Sequence, residues 1–129
     1  MPTAPVLNEG FYPGHFLVSQ ANGFRSRDTI IVANATGAAV TLQAGTVLAK
    51  LTATGNYVPY DNAGTDGSEV ASAILYATVV VPASGTKRAA AITRAAEVNT
   101  AELQWDGSVD AAGKTAGLAD LLAQGIVAR

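Results

Sequence analysis

The chain has no cysteine among its 129 residues, which excludes disulfides and thiolate-held metals. Charge is also scarce: 14% of residues are charged, and 8 Lys and Arg stand against 10 Asp and Glu for a net charge of −2. That fraction lies well below the roughly 25% usual in globular domains. So weakly charged a surface suits packing against other protein, although small residues inside an ordinary β fold give the same composition. Scattered basic residues and a negative balance argue against nucleic acid as a partner. No apolar run approaches the roughly 18 residues that span a bilayer. The opening MPTAPVLNEGFYPGHFLV has neither a basic leader nor a continuous apolar stretch, so neither a signal peptide nor a membrane role is expected. Walker A and Gly-x-Gly-x-x-Gly patterns are missing, and the glycines sit singly at turns.

Catalytic constellations are equally thin. His15 is the only histidine. Ser19 and Asp28 are its nearest candidate partners in sequence, and all three fall in or beside a Pro/Gly-marked arm that gives a catalytic group no rigid support. His15 is therefore read as an exposed or interface residue. Asp61, Asp66 and Glu69 form the densest carboxylate group, in DNAGTDGSE. Counted as a calcium loop from Asp61, this stretch puts Ala63 and Thr65 where oxygen-rich ligands belong and Asp66 where glycine belongs. A turn whose carboxylates bond local amides is the better account. Neither a metal, a cofactor nor an enzymatic activity is expected.

What is present is β patterning. At 129 residues the chain is one domain, long enough to bury a single core without staples. The stretch Ala44 to Leu75 organises it. Thr46 to Thr52 reads as a strand with Val47, Ala49 and Leu51 on one face and Leu48, Lys50 and Thr52 on the other. A Gly55-Asn56 turn leads to Tyr57–Tyr60, where Pro59 places the strand at an edge or ends it. Glu69–Leu75 follows. Before this stretch, Thr29–Ala33 is a β-branched strand and Ala38–Leu42 a shorter one. After it come Tyr76–Val81, closed by Pro82, and Thr86–Arg94. Glu97–Leu103 suggests one or two helical turns with Val98 and Leu103 inward.

The last element is a helix with Ser108 as its N-cap and Leu118, Leu121 and Leu122 as its apolar stripe. Gly113 and Gly117 share a face where a neighbouring backbone can approach. Gly125 ends the helix, Ile126–Ala128 is a closing strand, and Trp105 is a packing anchor beside the helix. Strands this short and this regularly spaced predict a mainly β fold, a small barrel-like domain with one C-terminal helix. Residues 1–25 form an extended N-terminal arm and a polar linker turning at Asn22-Gly23, and residues 26–129 form the domain. Within the arm, Phe16–Ser19 suggests a short strand.

The strings GTVLAKLTATGNYVPYD and TDGSEVASAIL, followed by AEVNTAELQW and LLAQGIVAR in that order, resemble the head decoration proteins of lambda-type tailed bacteriophages. The resemblance spans roughly Ser26 to Arg129. It implies a structural protein of the virion, made in the bacterial host cytoplasm. Such a protein binds the outside of the expanded capsid as homotrimers, with the major capsid protein as partner, and stabilises the shell against internal DNA pressure. It also implies that the N-terminal arm adds a strand to a sheet on the shell, which makes Phe11, Tyr12, Phe16, Leu17 and Val18 the candidate capsid contacts. The competing class is a small β-domain that binds carbohydrate or a host surface on the virion, which needs clustered exposed aromatics.

Overall fold

The computed structural model describes residues 12–23 and 25–129. Ten strands, one 3-10 turn and one helix follow in order. The strands are β1 (Leu17–Gln20), β2 (Arg27–Ala33), β3 (Val40–Leu42), β4 (Val47–Lys50), β5 (Tyr57–Pro59), β6 (Ala71–Leu75), β7 (Val79–Val81), β8 (Thr86–Ile92), β9 (Ala96–Val98) and β10 (Ile126–Ala128). The 3-10 turn spans Thr100–Glu102, and α1 spans Ala111–Ala123. The mainly β architecture with a barrel and a single C-terminal helix is the one the patterning predicts.

Five strands close a barrel in the order β2-β5-β4-β6-β8, β3 and β7 form a separate ribbon, and β1-β9-β10 form a three-stranded sheet. Its longest pairing runs β2 against β8 from Arg27↔Ile92 to Ala33↔Thr86. Inside the barrel Ile30, Val32, Leu48, Ala73, Leu75 and Ala91 form one cluster, joined by Val81 of the ribbon. Pairs such as Leu48↔Ala73 and Leu75↔Ala91 set a large side chain against a small one, so the narrow interior fills without voids. The opposite faces of β4, β6 and β8 contribute Val47, Ala49, Ile74 and Ile92 to a second cluster, covered by Phe16, Val98, Leu103, Leu121 and Ile126. Strand β4 is thus buried on both faces, and only Lys50 at its end is exposed.

Three local expectations change. The stretch 97–103 is not helical throughout: Ala96–Val98 is a strand, and only Thr100–Glu102 turns, capped by the Asn99 side chain bonding the Ala101 amide. The reason is tertiary, since β9 lies between an antiparallel β1 and a parallel β10. Asp110, not Ser108, caps α1, its carboxylate accepting from the Gly113 amide at 2.7 Å. Ser108 bonds the Asp106 carboxylate instead. Finally, the glycine face of α1 receives side chains and not backbone. A Cβ at Gly117 would stand 2.8 Å from the Trp105 ring and 3.0 Å from Tyr60, and one at Gly113 would stand 2.6 Å from the Asn62 amide carbon. The Tyr60 hydroxyl donates to the Gly113 carbonyl at 2.9 Å. Trp105 packs beside the helix, edge-on to Tyr60.

Candidate functional site

The N-terminal segment enters the domain through a tight turn. Gly14 adopts φ +73, and a Cβ there would lie 2.9 Å from the Tyr76 ring, so only glycine fits. Its amide donates to the Tyr76 carbonyl at 2.9 Å, and the Leu17 amide donates back to the Gly14 carbonyl. From this turn Phe16 drops into the outer cluster, fully buried, while Asn99 donates its amide to the Phe16 carbonyl at 2.7 Å. Leu17–Gln20, within the stretch 1–25 read from sequence as arm and linker, therefore belong to a sheet with β9 and β10.

The five candidate contact residues divide. Phe16 is wholly buried and Leu17, partly buried, packs against the same cluster, so both side chains help complete the core. Tyr12 at 48% and Val18 at 56% exposure are presented. Phe11 lies outside the described residues. Among the described residues strand β1 pairs with β9 alone, with an irregular register between Leu17 and Ser19, so within them its other side is a sheet edge. An exposed apolar Val18 on an unpaired edge is what a further strand can be laid against.

Polar contacts hold that edge in place. Glu97 of β9 accepts from the Ser19 hydroxyl of β1 at 3.1 Å and from the Arg129 guanidinium, beyond β10, at 2.8 Å. The Arg129 and Ser19 donors hold the Glu97 carboxyl below its ordinary range. Arg27 of β2 donates to Gln20 of β1 at 3.0 Å and lies over the Tyr76 ring, 4.1 Å from its centroid. Beside it Asp28 pairs with Arg94 and accepts from Thr93 at 2.8 Å, which depresses the Asp28 carboxyl. The Glu97 clasp left no local signature, because Ser19 and Glu97 are 78 residues apart.

His15 is not exposed. Its side chain is 4% accessible, with Nδ1 3.2 Å from the Tyr12 carbonyl and Nε2 3.5 Å from Glu102, and its ring meets Phe16 edge-on. It helps seat the turn. Ser19 and Asp28 bond Glu97 and Arg94 respectively, and neither hydrogen-bonds His15. The carboxylates of the 61–69 loop serve their own backbone. Asp61 accepts from the Ala63 amide, Asp66 from the Ser68 amide and hydroxyl, and Glu69 from the Gly67 amide. Among the described residues no group of three His, Asp or Glu side chains is placed to hold a metal.

An apolar recess of about 310 Å³ lies between the β3-β7 ribbon and the barrel, lined by Val40, Leu42, Val58 and Val81. Its polar lining residues are already bonded: Asn34 to Thr36 and to the Ala38 carbonyl, and Asp106 to Ser108. Among the described residues the aromatics are not gathered on the surface: Tyr60 is buried, Trp105 half-buried beside it, Tyr76 lies under Arg27, and Tyr12 is exposed. No helix of the described residues is long and apolar enough to cross a membrane.

A presented edge strand, a recess without free polar groups and carboxylates bonded to their own loop describe a surface for macromolecular contact. No curated protein matches the chain. The model of one family, the bacteriophage lambda head decoration protein D, matches residues 6–126, nearly its whole length. The chain belongs to the family of the bacteriophage lambda head decoration protein.

Proposed function

We propose that this protein binds the outside of the assembled, expanded head of its phage as a homotrimer and stabilises the shell against the pressure of packaged DNA. The major capsid protein is its partner. The presented edge of β1, with Val18 exposed on it and Tyr12 exposed before the turn that leads into it, is the observation that carries the docking mode: a strand of the shell pairs with β1 and takes Val18 into a pocket. Phe16 and Leu17 act from beneath, fixing the strand that makes the contact. Phe11 is kept as a contact on the resemblance alone.

Stabilisation follows from linked contacts. A trimer that holds several shell subunits at once releases far more slowly than any single contact, because each detached arm rebinds from a high local concentration. Binding the assembled shell and not its free subunits then raises apparent shell stability by mass action.

Co-sedimentation with undecorated expanded heads tests this reading. Saturable binding of the intact chain is expected. Val18→Asp is expected to weaken binding at least about tenfold, since an unpaired carboxylate then enters an apolar contact. The informative truncation removes residues 2–11. A cut through residue 19 would take Phe16 out of the core and confuse unfolding with lost contact. Full binding by Val18→Asp would move the contact off β1 and leave decoration standing; no binding by the intact chain would sink decoration itself.

A further inference from the structure

The turn between β1 and β2 has a chemistry that shell binding does not use. Asn or Asp precedes Gly at three places, Asn22-Gly23, Asp66-Gly67 and Asp106-Gly107. At two of them the acidic side chain is held. Asp66 accepts from the Ser68 amide and hydroxyl, and the Gly67 amide itself donates to Glu69. Asp106 accepts from the amide and hydroxyl of Ser108. Asn22 differs: among the described residues nothing bonds its side chain, and both Asn22 and Gly23 are exposed. Gly23 sits at φ +69 with open space where a Cβ would stand.

The neck of this turn is clamped. The Ala21 amide donates to the Ala95 carbonyl at 3.1 Å and lies 3.0 Å from the Ser26 hydroxyl oxygen. That hydroxyl donates to the Ala95 carbonyl at 2.8 Å, and Ser26 is fully buried. Asn22 and Gly23 therefore project from a fixed base, free to change conformation without opening a sheet.

We infer that Asn22 is a site of spontaneous deamidation in the folded protein. The Gly23 amide nitrogen, deprotonated, attacks the Asn22 side-chain carbonyl carbon. A nitrogen–carbon bond forms, ammonia leaves, and a five-membered succinimide results. Water then adds to one of the two ring carbonyls and breaks its bond to nitrogen, giving aspartate or isoaspartate. One water enters and one ammonia departs, with no change of oxidation state. Glycine matters because no Cβ crowds the attacking nitrogen. Aspartate places a carboxylate close in sequence to Arg25 and Arg27, and isoaspartate lengthens the backbone that joins β1 to β2. The product is a time-dependent charge and length change at the root of the docking strand.

The test holds the folded protein and a urea-unfolded sample at mildly alkaline pH and follows each asparagine by peptide mass mapping, with fragmentation that separates aspartate from isoaspartate. Conversion at Asn22 in the folded protein is expected within about tenfold of its rate in the unfolded chain, as for a segment that needs no opening. Asn34, whose side chain is bonded on both its oxygen and its nitrogen, is expected to lag far behind in the folded sample. Asn22→Gln is expected to keep the fold and abolish the product. An Asn22 that stays an amide while the unfolded chain converts more than about tenfold faster overturns the inference, as does prior conversion of another asparagine.

Discussion

The two hydrophobic clusters lie on opposite faces of one barrel wall, yet different parts of the chain close them. The inner cluster is made by the barrel strands and the β3-β7 ribbon, all between Ile30 and Ala91. The outer cluster borrows its cover from both flanks of that stretch: Phe16 before it, and Val98, Leu103, Leu121 and Ile126 after it. The barrel can therefore fill itself, whereas the β1-β9-β10 sheet exists only when segments far apart in sequence meet over β4, β6 and β8. The contact proposed for β1 is thus mounted on the half of the molecule that depends on distant partners.

The contrast is sharpest in a pair of truncations. Phe16→Ala is expected to cost about 3–5 kcal/mol, and Leu48→Ala inside the barrel about 2–5 kcal/mol, both measured by urea unfolding. Hydrogen exchange should then separate them. Phe16→Ala should release the amides of β1 and β9 while β2 and β8 stay protected; uniform loss in both variants would show the two clusters to be one cooperative unit. A smaller effect is expected at Gly117→Ala, where the new methyl meets Trp105 and Tyr60. Overpacking should cost about 1–3 kcal/mol and disturb the Trp105 fluorescence.

The smallest effect is electrostatic. Arg94 and Thr93 hold the Asp28 carboxyl below its ordinary value of 3.8, so the folded state binds fewer protons than the unfolded chain in that range. Its contribution is present above the ordinary aspartate value and is lost as pH falls through the depressed folded one. The pair is half-exposed, so the gain is slight. Arg94→Ala should flatten the acid limb of stability against pH; an unchanged limb would assign acid sensitivity to other carboxylates.

Local signals carried much of this architecture. The β-branched run at Thr29–Ala33, the alternation around β4, the stop at Pro59 and the leucine stripe of α1 are written in short windows. What was not legible has one physical cause. Ala96–Val98 has little local preference, and becomes a strand because β1 and β10 lie on either side of it. Phe16 reads as an arm residue beside Pro13 and Gly14, and is core because the outer faces of β6 and β8 need a cover. His15 is buried by the same turn. Ser108 and Asp110 are both sound caps by type, and only the course of the chain after Gly107 decides between them. Tyr12 and Val18 are exposed while Phe16 between them is buried, a division that composition does not show.

The placement of β9 between β1 and β10 also sets an order of events. The Ser19–Glu97 contact closes a loop of 78 residues, while neighbouring barrel strands such as β4 and β5 meet across a single turn. Closing the longer loop costs more entropy before any contact rewards it. The local pairings of the barrel, β4 with β5 and β6, should therefore form in an early kinetic phase, and the β1–β9 pairing in a later one. During that interval β1 is an unpaired strand carrying Leu17 and Val18, with Phe16 just before it. The segment proposed to meet the shell is thus also the one most open to mispairing with another copy while the protein folds.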